Sequence, residues 1–150
     1  MLKNNLLNEN SVMNLVLDEN NYDGNSLYFY EPVKNTVMDD SSFIRIVYSN
    51  TDLILNGIYI KVDIDKNIYS KKPNNKNEQT LAFVERIEKD ILQRYKSNKV
   101  NMFKIKEQLQ YLISKVTTSN MCDTNYILKI SGIWETPTTI GLTFKYIYLH

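Results

Sequence analysis

In the stretch DLILNGIYIKVDI, residues 52 to 64, Ile58, Ile60, Val62 and Ile64 fall on one side of an extended chain while Tyr59, Lys61 and Asp63 fall on the other. Strict alternation of this kind predicts a half-buried β-strand. Similar runs precede it, LYFY (27 to 30) and SFIRIVYS (42 to 49), and NIYS (67 to 70) follows it as a further short candidate. Asn56-Gly57, inside the third run, either closes a two-residue hairpin or forms a bulge that re-aims the strand.

From Thr80 to Asn98 the period changes. Leu81, Val84, Ile87, Ile91 and Tyr95 recur at helical steps with Arg86, Glu88, Lys89 and Gln93 between them, which predicts an amphipathic helix. A second helix is expected from about Phe103 to Val116, with Ile105, Leu109, Leu112 and Val116 on one stripe. The chain then returns to strand at Tyr126 to Trp134 and at Ile140 to Leu149. In the first of these, Trp134 keeps step with Tyr126, Leu128 and Ile130, so the indole is expected in the core and Lys129 on the opposite face. In the second, Leu142, Phe144, Tyr146 and Tyr148 share the core face, and Thr143, Lys145 and Ile147 face outward.

Strands, two helices and strands in that order predict an α+β domain. The expected sheet is antiparallel, or a small OB-like barrel, of about five or six strands with the two helices inserted between strand groups. Residues 1–24 are Asn-rich around one periodic piece, Val12, Leu15 and Val16, and read as an N-terminal arm that is a short helix or flexible chain. Residues 25–150 read as a single domain, in keeping with a chain of 150 residues.

Composition narrows the chemistry. Apolar runs are far shorter than the ~20 residues of a membrane span, and the first residues lack a signal peptide's basic start and apolar core, so no membrane partner and an intracellular location are expected. The only cysteine, Cys122, rules out an intrachain disulfide, and the only histidine, His150, is terminal. Neither a Cys/His zinc site nor a nucleophile with an adjacent imidazole can be assembled from them. The segment DIDKN, Asp63 to Asn67, starts like a calcium loop, but the required Gly falls on Ile68 and the bidentate Glu on Asn74. Phosphate-loop, zinc-protease and nucleophile-elbow strings are missing from the sequence, and Asp123 beside Cys122 would raise a thiol pKa rather than lower it. The expectation is a protein without catalytic residues, metal or cofactor.

Charge is unevenly spread. Residues 1–50 hold three Lys/Arg against seven Asp/Glu, whereas residues 66–115 hold twelve against five. Arg86, Lys89, Arg94 and Lys96 belong to a solvated helix face, but loop and strand cations are candidates for contacts with phosphates. Single strands of nucleic acid are held by rings that stack on bases together with cations that follow the backbone, and alternate residues of a strand present both from one surface. Arg45, Tyr59, Lys61, Lys129 and Lys145 on strands, with Lys71 and Lys72 in the following loop, are the candidate contacts.

Two stretches, FIRIVYSNTDLILNGIYIKV (43–62) and LKISGIWETPTTIGLTFKY (128–146), resemble segments of small, mostly uncharacterised proteins encoded by nucleocytoplasmic large DNA viruses. The second also resembles the Gly-hydrophobic-Trp hairpin that closes some viral OB-like single-strand-binding domains. The resemblance implies a viral protein of the host cytoplasm or nucleus, or of the virion. The expected function is non-catalytic binding of single-stranded nucleic acid through a basic, partly aromatic sheet surface. The alternative is a structural or interaction protein that does not bind nucleic acid, a minor virion component or host-interaction factor that grips another protein through an edge strand or apolar patch. Homo-oligomer formation is compatible with either reading. Arg45, Lys61, Lys129 and Lys145 lining one concave face would favour the first reading; scattered cations beside an exposed apolar patch would favour the second.

Overall fold

The structure is a computed structural model that describes residues 16–35, 40–66, 76–118 and 124–149. Its elements run β1 (Leu27–Phe29), β2 (Val33–Lys34), β3 (Ser42–Ser49), β4 (Ile54–Asn56), β5 (Ile58–Asp63), α1 (Lys76–Tyr95), β6 (Val100–Met102), α2 (Ile105–Thr118), β7 (Asn125–Glu135) and β8 (Thr139–Tyr148). The domain is α+β, with two helices and one curled eight-stranded sheet that forms a half-barrel. The candidate strand at 67–70 lies outside the described residues, as do residues 1–15 of the arm.

The sheet is mixed rather than antiparallel. β6, a three-residue strand between the two helices, runs parallel to the start of β8, pairing Val100 with Thr139 and Met102 with Gly141. Three residues are too few for alternation to register in the sequence, so the strand and its direction were hidden from a pattern reading.

Isoleucine dominates the core because a curled sheet presents rows of alternate residues to the helices. Ile44 and Ile46 of β3, Ile58 and Ile60 of β5, and Leu128, Ile130 and Ile133 of β7 are fully buried. They meet Val84, Ile87 and Ile91 of α1 and Ile105 and Leu109 of α2, which are buried as well. α1 ends where Lys96 turns into the left-handed region at φ 59°, a common way to stop a helix. α2 begins on the carboxylate of Glu88, which accepts the backbone N–H of Lys104 at 2.9 Å and of Ile105 at 3.3 Å. These are donors that the first turn of a helix leaves without intrahelical partners.

Two backbone irregularities meet at the centre of the sheet. β4 pairs with β3 and β5 pairs with β7, although Gly57 alone separates them. Gly57 has φ 103°, and a Cβ there would come within 2.7 Å of the Ile130 carbonyl oxygen. Asn56-Gly57 thus re-aims one chain from one partner strand to the next. Facing it, β7 shifts register between Ile130 and Gly132, with Ser131 as the extra residue. The bulge lets β7 pair with β5 up to Ile130 and with β3 from Gly132 onward.

That bulge also overturns the expected place of Trp134. Tyr126, Leu128 and Ile130 face the helices, but beyond Ser131 it is Ile133 that does so, and Trp134 turns outward, half-buried. An inserted residue reverses the face of everything after it. β8 carries no such insertion, and Leu142, Phe144 and Tyr146 keep the inner face as expected, packed on the core.

Residues 16–26 lie against the domain. Leu17 donates its N–H to the Tyr59 carbonyl at 2.7 Å and bridges Ile60, and Val16 and Leu17 are buried. The Tyr22 hydroxyl donates to Asp90 of α1 at 2.8 Å, and Tyr48 accepts the Asp23 N–H at 3.0 Å. Among the described residues, no helix is long and apolar enough to cross a membrane.

Candidate nucleic-acid interface

Because α1 lies against both β5 and β8, the strands that flank β7, the sheet curls around it and its other face is convex. Strand register decides what this outer face carries. Tyr59 on β5 is opposite Lys129 on β7, and Lys129 is opposite Lys145 on β8, so three strands contribute one row. One row along, Lys61 is opposite Ile127, and Ile127 is opposite Ile147. Beyond the bulge, Arg45 on β3 is opposite Gly132, and Phe43 is opposite Trp134.

Five of the sequence-predicted contacts, Arg45, Tyr59, Lys61, Lys129 and Lys145, therefore share one face; Lys71 and Lys72 lie outside the described residues. The face is the convex one, turned away from the helices, so the cations share one face but line a ridge and not a concave surface.

Their electrostatic surroundings differ. Lys61 lies 3.7 Å from Asp63, the carboxylate that shares this face, and Lys76 reaches the same oxygen at 3.7 Å. Lys129 holds its ammonium 5.7 Å from the Tyr59 ring centroid, and the Arg45 guanidinium lies 5.8 Å from that of Tyr30. Such contacts draw a cation to a ring without neutralising it. Among the described residues, Arg45, Lys129 and Lys145 have no carboxylate within 4.0 Å.

Rings complete the surface, and the sequence pattern missed most of them. The Trp134 indole lies over Gly141, and the Phe43 ring over Gly132; a Cβ on either glycine would strike the ring. Glycine inside a strand marks a place where something approaches the backbone closely, and that was the available signal. Tyr30 follows β1 and reaches the same face beside Arg45. At the margin of the face Tyr28, Val33 and Ile54 are exposed at 56%, 65% and 64%, an apolar fringe next to the cations.

Three titratable groups away from this face, Glu88, Tyr146 and Tyr22, have structural partners. Glu88 is 1% exposed, and burial raises its pKa against the opposing pull of the Lys104 and Ile105 N–H groups. The Tyr146 hydroxyl donates to the Ile105 carbonyl at 2.8 Å, and burial pushes its pKa far upward, with Glu88 adding to the shift. Tyr22 is raised likewise by burial and by its bond to Asp90. Among the described residues no group of three His, Cys, Asp or Glu side chains converges as a metal cage. Asn67, Cys122 and His150 lie outside the described residues.

No family model, curated protein or solved structure matches the chain.

Proposed function

We propose that the convex sheet face binds single-stranded nucleic acid without catalysing a reaction on it. The observation that carries this reading is the Lys129–Lys145 pair, two like charges in direct cross-strand register with no carboxylate beside them among the described residues. Like charges so placed are destabilising, and an anion that lies between them turns that cost into affinity. Arg45 and Lys61 extend the cationic track on both sides, and Tyr59, Tyr30, Phe43 and Trp134 supply surfaces on which bases can stack. OB-like domains hold single strands on a sheet face in this manner, and the OB-like and viral, intracellular readings belong to the same proposal.

Fluorescence anisotropy with labelled single- and double-stranded oligonucleotides at two salt concentrations tests it. Single strands should bind more tightly, and affinity should fall with salt with a slope near −0.7 per phosphate contact. Removing both cations in Lys129→Ala/Lys145→Ala should flatten that slope by up to about 1.4. The apolar fringe of Tyr28, Val33 and Ile54 supports a second reading, an interface for another protein. Failure of both oligonucleotides to bind at low salt would leave that reading in its place.

A further inference from the structure

β8 spans Thr139–Tyr148, but β6 accompanies it only as far as Gly141. Leu149 donates its N–H to the Asn125 carbonyl at 2.9 Å, and peptide groups of an antiparallel ladder alternate sides. Leu142 is the last residue whose N–H faces β6, and the peptide groups of Phe144 and Tyr146 beyond it point away from β7, toward a margin that no described strand pairs. The other margins are blunted. β1 and β2 are three and two residues long and separated by a segment containing Pro32, and Leu17 lies across β5. Proteins rarely leave a long, ring-bearing sheet edge open unless something covers it.

Beside this margin a groove between α2 and β8 is lined by Phe144, Leu112 and Tyr111 together with Lys104, Glu107 and Lys145. Tyr111 is 64% exposed. We propose that a second copy of this chain docks here, β8 against β8 in antiparallel order, so that one sheet runs through both molecules. A groove with an apolar wall and both signs of charge suits a two-fold contact, in which Glu107 of each copy can meet Lys104 of the other and leave Lys145 on the outer face. A two-fold axis at Phe144 sets Lys145 opposite Thr143 of the second copy, and an axis at Tyr146 sets it opposite Ile147. Either arrangement keeps the two Lys145 side chains from facing each other. The convex faces then join, and the row of Tyr59, Lys129 and Lys145 continues into the second molecule.

Sedimentation equilibrium over a concentration series, with amide hydrogen exchange at high and low concentration, tests the contact without nucleic acid. The expected result is a two-chain mass that falls to one chain on dilution, with the Phe144 and Tyr146 amides protected only in the larger species. Phe144→Pro removes an N–H that points away from β7, a position where an edge strand tolerates proline, and should give one chain throughout. Phe144→Val keeps that N–H and should still pair. A one-chain mass at every concentration overturns the proposal. So does protection of those amides in the one-chain species, which would mean that the margin is covered from within the molecule. A folded Phe144→Pro that still pairs overturns it too, and if that variant fails to fold, the exchange pattern of the parent protein decides.

Discussion

Lys129 and Lys145 stand directly opposite one another on β7 and β8, in a register where the neighbouring pairs, Ile127 with Ile147 and Leu128 with Tyr146, are apolar. Cross-strand pairs are the unit in which a sheet gains or loses stability, at about 0.2–1 kcal/mol each, and like charges lie on the unfavourable side. Lys145→Glu converts the pair to opposite charges. The variant should be more stable than the parent by about 0.2–1 kcal/mol in urea denaturation, and its affinity for a single-stranded oligonucleotide should fall. Stability and binding would then move in opposite directions. Loss of stability in Lys145→Glu, or binding that survives it, would mean that the pair has no role in holding an anion.

Trp134 rests on Gly141 on the outer face, half-buried, and not in the core. Trp134→Ala should therefore cost about 0.8–1.5 kcal/mol, half the transfer free energy of a fully buried large side chain, and not the ~3–5 kcal/mol of a core aromatic. If the indole stacks on a base, the same variant should lose about 1–3 kcal/mol of oligonucleotide binding. Thermal melts and anisotropy on one preparation separate the two effects. Unchanged binding would remove Trp134 from the site.

Much of the architecture was legible because the burial period is plain in the sequence. β3 was expected at 42–49 and is found there, and both helices fall within a few residues of their apolar stripes. What escaped depended on backbone, not on periodicity. Ser131 breaks the step of β7 and exchanges the faces of Ile133 and Trp134, which no count of alternate residues could reveal. β6 is three residues long, too short for its own sequence to show the strand or its parallel partner. Tyr59, Lys61, Lys129 and Lys145 share a face because the alternation of β5, of β8 and of β7 as far as Ile130 is uninterrupted, whereas the place of Phe43 over Gly132 and opposite Trp134 depends on strand pairing that no single run shows.

Gly57 lies where the chain leaves β3 for β7, and both its φ of 103° and the nearby Ile130 carbonyl exclude a side chain. Gly57→Ala should destabilise by about 1–3 kcal/mol, the range for a non-glycine residue held in a sparsely populated backbone region. Urea titration measures it directly. A neutral outcome would mean that the β4–β5 bend is adjustable and does not fix the opposing bulge at Ser131.

Glu88 is placed to cap α2 yet pays for its burial, and the two effects separate with pH. Burial raises its folded pKa above the ordinary carboxylate value, more than the N–H groups of Lys104 and Ile105 lower it. A raised folded pKa means that the protonated acid is favoured in the fold, so this stabilising contribution is full below the unfolded pKa and is lost as pH rises through the folded one. Glu85, one turn earlier on α1, is shifted the other way by hydrogen bonds from Lys106 and Lys89, so its contribution is lost as pH falls. A difference between variant and parent cancels most of the Glu85 effect. Glu88→Gln keeps an acceptor for the start of α2 and removes the buried charge, so its stability relative to the parent should improve from acid toward neutral pH. Glu88→Ala leaves the Lys104 and Ile105 N–H groups without their acceptor and should cost about 1–3 kcal/mol at neutral pH. Urea titrations of the three proteins between the ordinary carboxylate pKa and neutrality decide the matter. If Glu88→Gln runs parallel to the parent at every pH, the carboxylate is ionised in the fold as readily as in the unfolded chain, and the cap has outweighed the burial.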